Sequence, residues 1–369
     1  MIILIVYTIS FIYLLYFIWI IEPLFNKEKK IMHPFYPSVS IVISAKNEEN
    51  NINRLLSSLS KQNYPKEKYE IIIANDKSTD NTLDIINNIK NIKNLKIINI
   101  EETPKNWGSK KWAINSCISI AKGNIILQTD ADCIHREDWV YEMCKPFQNH
   151  NVGFVCGPSY IGKNNNFWNE LLKLESISQE SFTYANSKRN LFLSCTARNI
   201  AFRKSLFNDI NGYEGFSHVE SGDDDLLLHK VVTNSKTEVL FLADYKCLVI
   251  SDAPQTITQF YLQRLRYASK GLLYYNLSTP KEVKIILPFL LIANLCTIIS
   301  IVNLINEQSI VWLIPILFKI LSDILVIMKY IELIKINFRL LYFIILMIMH
   351  PFYVLLIGCI APFIKVQWK

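Results

Sequence analysis

Cysteine pairing is the first thing missing. The 369-residue chain has eight cysteines, but no C-x-x-C pair and no tight cluster. That argues against a disulfide framework or a zinc site and fits a reducing compartment. Neither G-x-G-x-x-G nor G-x-x-x-x-G-K-[ST] occurs, so the fingerprints of dinucleotide-binding and P-loop domains are lacking. No basic–aromatic nucleic-acid motif appears. The net charge of +7 sits partly beside apolar runs, where anionic lipid headgroups explain it better than nucleic acid. Charge itself is absent from residues 2–21, IILIVYTISFIYLLYFIWII. Twenty helical residues span about 30 Å, the thickness of a bilayer's hydrocarbon. A signal peptide would show a basic n-region and a small-residue cleavage site, and neither is visible. The expectation is an uncleaved transmembrane anchor over residues 1–22.

What is present divides between two solvents. Hydrophobic residues reach 51% beside 19% charge, and the apolar runs concentrate at the ends. Residues 285–305, 310–328 and 340–360 are three further candidate spans within a C-terminal membrane region, 281–369. The middle one carries Lys319 and Asp323 at i, i+4 spacing, which suits an ion pair on a helix packed against its neighbours. Pro315, Pro351 and Pro362 are tolerable in membrane helices. Lys27, Lys29, Lys30, Lys281, Lys284, Lys329, Lys335 and Arg339 flank the spans, whereas NEQS at 306–309 has no basic residue. By the excess of basic residues on the cytoplasmic side, the large charged segment between the ends is cytoplasmic. The expected location is therefore the cytoplasmic membrane, with several passes. Lys365 and Lys369 fit that topology less well, which suggests a partly interfacial last segment.

The central segment, 37–255, alternates strand and helix patterns. Val39–Ile43, Ile71–Ile73, residues 95–100 and residues 124–129 read as strands, each followed by a polar turn or a helical run. Continuous apolar strands with intervening helices imply an α/β fold, a mostly parallel sheet flanked by helices. Ligands bind beyond the carboxyl ends of such strands. Residues 44–49, 75–80 and 130–132 each follow a strand and belong at that edge. Asp130 and Asp132, one residue apart in GNIILQTDADC, admit two readings. They are a polar turn ending a strand, or a site where carboxylates hold a divalent cation, Mg or Mn, beside a phosphate.

The blocks SIVISAKNEENNI, IIIANDKSTDNT, AKGNIILQTDADC, LSCTARNIAFRKSLFNDINGYEG, SGDDDLLLHK and QRLRYASKG follow one another over residues 38–271. In that order they resemble the family 2 glycosyltransferases, which have the GT-A nucleotide-sugar-binding fold. The resemblance implies that Ser44, Ala45, Lys46 and Glu48 cup the nucleobase and that Asp76 reads a uracil edge. Asp76 also suits a helix cap or Asx-turn, and Asp80 suits a cap better. Lys110 matches a basic position near the diphosphate, with Lys111 beside it as the alternative. Asp130 is expected at the ribose or metal and Asp132 as the main metal ligand, while Cys133 reads as a small buried residue. In SGDDDLLLHK, Asp224 takes the position of the catalytic base and Asp223 replaces the family's usual Glu. Acids at a helix N-terminus are the plainer reading, though three exceed what capping requires. His218 and His229 read as ordinary polar residues.

Residues 256–280 read as an amphipathic interfacial segment, with Ile257, Phe260, Tyr261, Leu265 and Ala268 on one face. By the resemblance, Gln263, Arg264, Arg266 and Tyr267 meet the acceptor or diphosphate, with Tyr267 where the family usually has Trp. An interfacial aromatic and basic anchor suits the same residues. Together these readings describe a membrane-bound inverting glycosyltransferase with a divalent metal. Its expected partners are a nucleotide-sugar donor, a lipid-linked or polysaccharide acceptor, membrane lipids and other subunits. The alternative is a non-catalytic nucleotide-sugar-binding or assembly subunit.

Overall fold

The structure, a computed structural model, describes residues 1–26, 34–89, 92–162 and 166–364. Lys27, Lys29, Lys30, Lys365 and Lys369, invoked for orientation, lie outside the described residues. The chain divides into two compact units. One holds residues 29–163 and 194–253, and the other holds residues 1–28, 164–193 and 254–366.

The first unit is built on two sheets. In chain order its strands are β1 (Val39–Ala45), β2 (Tyr69–Asp76), β3 (Leu95–Ile100), β4 (Ile125–Gln128) and β5 (Cys133–His135). Then come β6 (Val152–Cys156), β7 (Ser159–Ile161), β8 (Ile200–Arg203), β9 (Glu238–Phe241) and β10 (Val249–Ser251). Seven strands form a sheet in the order β3-β2-β1-β4-β8-β6-β9, and β5-β10-β7 form a smaller one. β3, β2, β1 and β4 run parallel, as the apolar runs predict. β8 is antiparallel to both β4 and β6, so the sheet is mixed. The order reverses direction between β1 and β4, the point at whose carboxyl edge ligands bind in open α/β sheets.

The core follows from the sequence pattern. Ile41, Ile43, Ile71 and Ile73 are fully buried against Leu55, Leu56 and Leu59, the apolar stripe of the Ile52–Ser60 helix. Each such side chain contributes roughly 1.5–3 kcal/mol on leaving water. β3 is the sheet's edge, and only its last residue is buried.

The second unit is helical. Among the described residues four helices are long and apolar enough to cross a membrane: Ile2–Phe25, Lys281–Glu307, Ile310–Ile334 and Leu340–Ile360. Within this unit the Lys319 ammonium lies 2.7 Å from Asp323, and Tyr13 donates to the same carboxylate at 2.6 Å. The expected i, i+4 pair is thus present. It faces the N-terminal helix, so its charge is compensated where the flanking surface is apolar. The Phe167–Ser187 helix joins this unit through Phe182, whose ring stacks on Phe17 at 5.6 Å.

The Ile257–Ala268 helix belongs to the same unit. Leu265 packs with Tyr261, Ala268 and Ile357, as its spacing predicts, whereas Ile257 is exposed. The helix begins at Ile257, with Thr256 as its N-cap, so a side chain in the first turn has no preceding turn to cover it.

Candidate active site

Two loops at the β1 and β2 carboxyl ends are laced together. Asn47 and Lys77 adopt left-handed backbone conformations, which turn each chain sharply after its strand. Asn47 accepts from the Thr79 amide at 2.8 Å, and the Glu48 amide donates to Thr82 Oγ1 at 2.7 Å. Asp80 accepts from the Thr82 and Glu49 amides at 3.0 and 3.2 Å, a turn-fixing role that agrees with its capping reading. Ser44, Lys46 and Glu48 are partly buried along this edge, and the Ala45 methyl points into the core. Asp76, at the end of β2, is fully buried. Ser109 donates to it at 2.6 Å, and the Lys77 ammonium lies 2.9 Å away.

The acids after β4 meet those before the Asp225–Asn234 helix. Lys110 lies between them, 2.8 Å from Asp130 and 3.0 Å from Asp223. Gln128, the last residue of β4, donates to Asp223 at 2.8 Å. Against the desolvation that alone would raise it, the charges of Lys110 and Lys111 hold the buried Asp223 carboxyl below the usual carboxylate range. Lys110 is itself held above its ordinary value by Asp130 and Asp223, which outweigh its burial. Lys111 turns the other way, donating to the carbonyls of Val219 and Ser221. Of the two adjacent lysines, Lys110 is the one seated among the carboxylates.

Asp223, Asp224 and Asp225 differ in access. Asp223 and Asp225 are 6% and 2% exposed, and Asp224 is the partly exposed member. The turn is made by Gly222 at φ +89°, where a Cβ would also strike the Leu226 side chain at 2.6 Å. Asp224 caps the following helix, one oxygen accepting from the Asp225 amide at 2.7 Å and the other from the Ala197 amide at 2.9 Å. Capping therefore falls on the one partly exposed carboxylate of the three, whose orientation two backbone donors fix. Expected as a catalytic partner, Asp223 is instead enclosed by Lys110 and Gln128, which leaves it no open face for a proton transfer.

Asp132 is undercompensated. Burial and the neighbouring charge of Asp130 push its carboxyl up to about 6, although Arg198 works in the opposite direction. Among the described residues, its carboxylate accepts from Cys133 at 3.5 Å. Glu48 rises to about 7, mainly by burial, with Asp132, Asp130 and Asp252 adding to the effect. A divalent cation would relieve this excess negative charge, and the donors are the hard oxygens such a cation prefers. Among the described residues, no three His, Cys, Asp or Glu side chains gather closely enough to hold a metal unaided. One or two carboxylates completed by phosphate and water oxygens suit Mg²⁺, so Asp130 and Asp132 fit the group.

Sequence reasoning missed Gln128, Arg54, Arg198 and Asp252. Arg54 pairs with Asp252 at 2.9 Å and donates to the Asp132 carbonyl at 2.9 Å, which braces the acidic loop from behind. Two signals were available: a glutamine inside an apolar strand, and an acid directly after β10.

Residues 40–210 match the sequence model described as Glycosyl transferase family 2. That domain belongs to glycosyl transferase family 2. It has a GT-A-type α/β fold, in a chain that also carries membrane-capable helices. "Probable glycosyltransferase YdaM" of Bacillus subtilis (strain 168) is 26% identical over 235 residues, covering 63% of this chain and 54% of YdaM. "Poly-beta-1,6-N-acetyl-D-glucosamine synthase" of Staphylococcus epidermidis is 28% identical over 301 residues, covering 77% of this chain and 68% of the synthase. The chain thus spans about half the length of YdaM. The mannosyltransferase PcManGT of Pyrobaculum calidifontis, solved with GDP-Man and Mn²⁺, shares the fold at a TM-score of 0.59. Its sequence is 16% identical, and the match covers 98% of this chain and 97% of that one.

Within this family setting, Gln263, Arg264, Arg266 and Tyr267 lie in the helical unit. Tyr267 is exposed, and the Arg266 guanidinium lies 5.4 Å from its ring centre. Arg264 departs from expectation. It is 5% exposed and paired with Glu175, which also accepts from Tyr353 at 2.9 Å and Gln179 at 2.7 Å. Burial of the guanidinium demands a carboxylate partner, so Arg264 is a packing residue rather than one presented to acceptor or diphosphate.

Proposed function

We propose that the chain is a multi-pass, inverting glycosyltransferase of the cytoplasmic membrane. In this reading it transfers a sugar from a nucleotide sugar, UDP-linked, to a lipid-linked or polysaccharide acceptor. The observation that carries the reading is the partly exposed Asp224 carboxylate, held by the Ala197 and Asp225 amides beside the Lys110–Asp130–Asp223 cluster. The basic residues 281, 284, 329, 335 and 339 support a cytoplasmic catalytic domain.

Asp224 takes the proton of the acceptor hydroxyl as its oxygen attacks the anomeric carbon. The bond from that carbon to the diphosphate oxygen breaks in the same displacement, and the configuration inverts. The two backbone donors keep the base aimed while its proton arrives. Lys110 supplies positive charge where the leaving diphosphate gathers negative charge. A divalent cation on Asp130 and Asp132 neutralises further phosphate charge when bound. In this reading Ser44–Glu48 and Asp76 meet the nucleobase.

The test is release of nucleoside diphosphate by purified chain in a membrane mimetic, offered a panel of nucleotide sugars with Mg²⁺ or Mn²⁺. Turnover of a donor, lost on chelation and in Asp132→Ala, supports the reading and names the sugar. Failure to bind any donor in the panel removes it.

A further inference from the structure

The α/β unit contains an opening with a volume of about 660 Å³, joined to the acidic loop through Arg54, which lines it. It lies between the Ile52–Ser60 helix, β5, β10 and the turn at Tyr245. That volume suits a small molecule rather than a single ion. Ile134 and Ile250, paired across β5 and β10, give it an apolar wall.

Its cations differ in how far they are already committed. Lys246 lies 3.7 Å from Asp138 and 3.8 Å from Glu142. Arg54 holds Asp252 and the Asp132 carbonyl through Nη2. Lys61, by contrast, is exposed on the rim and has no ion pair among the described residues. The Arg136 guanidinium lies over the Tyr245 ring, 3.4 Å from its centre, and donates to the Tyr245 hydroxyl. Its Nε is buried, with no partner among the described residues, and so is that of Arg54. A buried guanidinium N–H without an acceptor is unfavourable, and the Glu137 and Asp138 carboxylates that also line the cavity leave both Nε groups unmatched.

We propose that this cavity is a second anion site, which takes a phosphate-bearing ligand. Arg136 offers a planar fork already immobilised on Tyr245, the geometry that matches a phosphoryl group. Lys61, exposed among the lining residues, adds a mobile point charge, and the Ser57 hydroxyl adds a donor. The apolar strand pair receives the uncharged remainder of the ligand. Its phosphate belongs either to a soluble ester or to a lipid headgroup, and the same side chains serve both.

The experiment uses full-length chain in nanodiscs of neutral phosphatidylcholine, titrated calorimetrically with inorganic pyrophosphate in a metal chelator. Saturable binding is expected. Lys61→Gln and Arg136→Gln should each weaken it by about tenfold, the loss of one charge-assisted contact. Lys61 is exposed, so its variant tests the site even where Arg136→Gln misfolds. Asp132→Ala should bind like wild type, which separates this site from the carboxylate cleft. Repeating the titration in discs with anionic phosphatidylglycerol names the source. Competition there identifies a lipid headgroup, and unchanged binding identifies a soluble phosphate. No saturable binding in neutral discs, equal affinity in Lys61→Gln, or loss in Asp132→Ala would each overturn the proposal.

Discussion

Lys110 places its ammonium 2.8 Å from Asp130, and the same nitrogen lies 3.0 Å from the buried Asp223. One cation thereby joins the acidic loop after β4 to the loop that carries Asp224. Lys110→Met strands the Asp223 charge in a site only 6% exposed. The expected cost is about 3–5 kcal/mol, as for other buried pairs broken from one side. Lys110→Met with Asp223→Asn should recover most of that loss, since the stranded charge is gone. Denaturant or thermal melts of the single and double variants measure the coupling.

Glu175 and Arg264 make the corresponding pair in the helical unit, where both are almost fully buried. Glu175→Gln should destabilise the protein by about 3–5 kcal/mol. Glu175→Gln combined with Arg264→Met should be less damaging than the single change. Thermal melts in one detergent decide this, and an unchanged midpoint for Glu175→Gln would show that the pair is not formed.

Acidity separates two buried groups by sign. Burial lowers His135 from 6.5 to about 3, so the unfolded chain takes up a proton that the folded chain refuses. Its contribution is present above about pH 6.5 and is lost as pH falls towards 3. Burial raises Glu48 from 4.5 to about 7, so the folded chain keeps its proton longer than the unfolded chain does. That contribution is present below about pH 4.5 and is lost as pH rises to 7, and Asp132 acts in the same direction. In metal-free melts, His135→Gln should flatten the loss of stability below pH 6.5. Glu48→Gln should flatten the decline between pH 4.5 and 7. A profile unchanged by either substitution would contradict these environments.

Much of the fold was legible because it depends on local pattern. Apolar runs at 39–43, 71–73, 95–100 and 124–129 specify the parallel strands, and the edge rule then gathers residues 44–49, 75–80 and 130–132. The direction of β8 was not legible, since IAFR reads alike in either orientation. Choosing between Lys110 and Lys111 was equally out of reach. Neighbours on a helix point about 100° apart, and only the surrounding loops decide which one meets the acids. Arg264 was misread for a related reason: its partner Glu175 lies 89 residues away, and no spacing within QRLRY reveals it. The different access of Asp223, Asp224 and Asp225 depends on the turn at Gly222 and on the Ala197 amide, which is likewise remote in sequence.

The most direct test of the central claim is single-turnover transfer by Asp224→Asn beside its donor affinity. Asparagine keeps the size of the side chain but cannot accept the acceptor's proton. The account predicts donor binding within about twofold of wild type and a transfer rate lowered by about 10²–10⁴, the usual worth of a general base. Transfer at the wild-type rate, with the variant folded and donor bound, would contradict it.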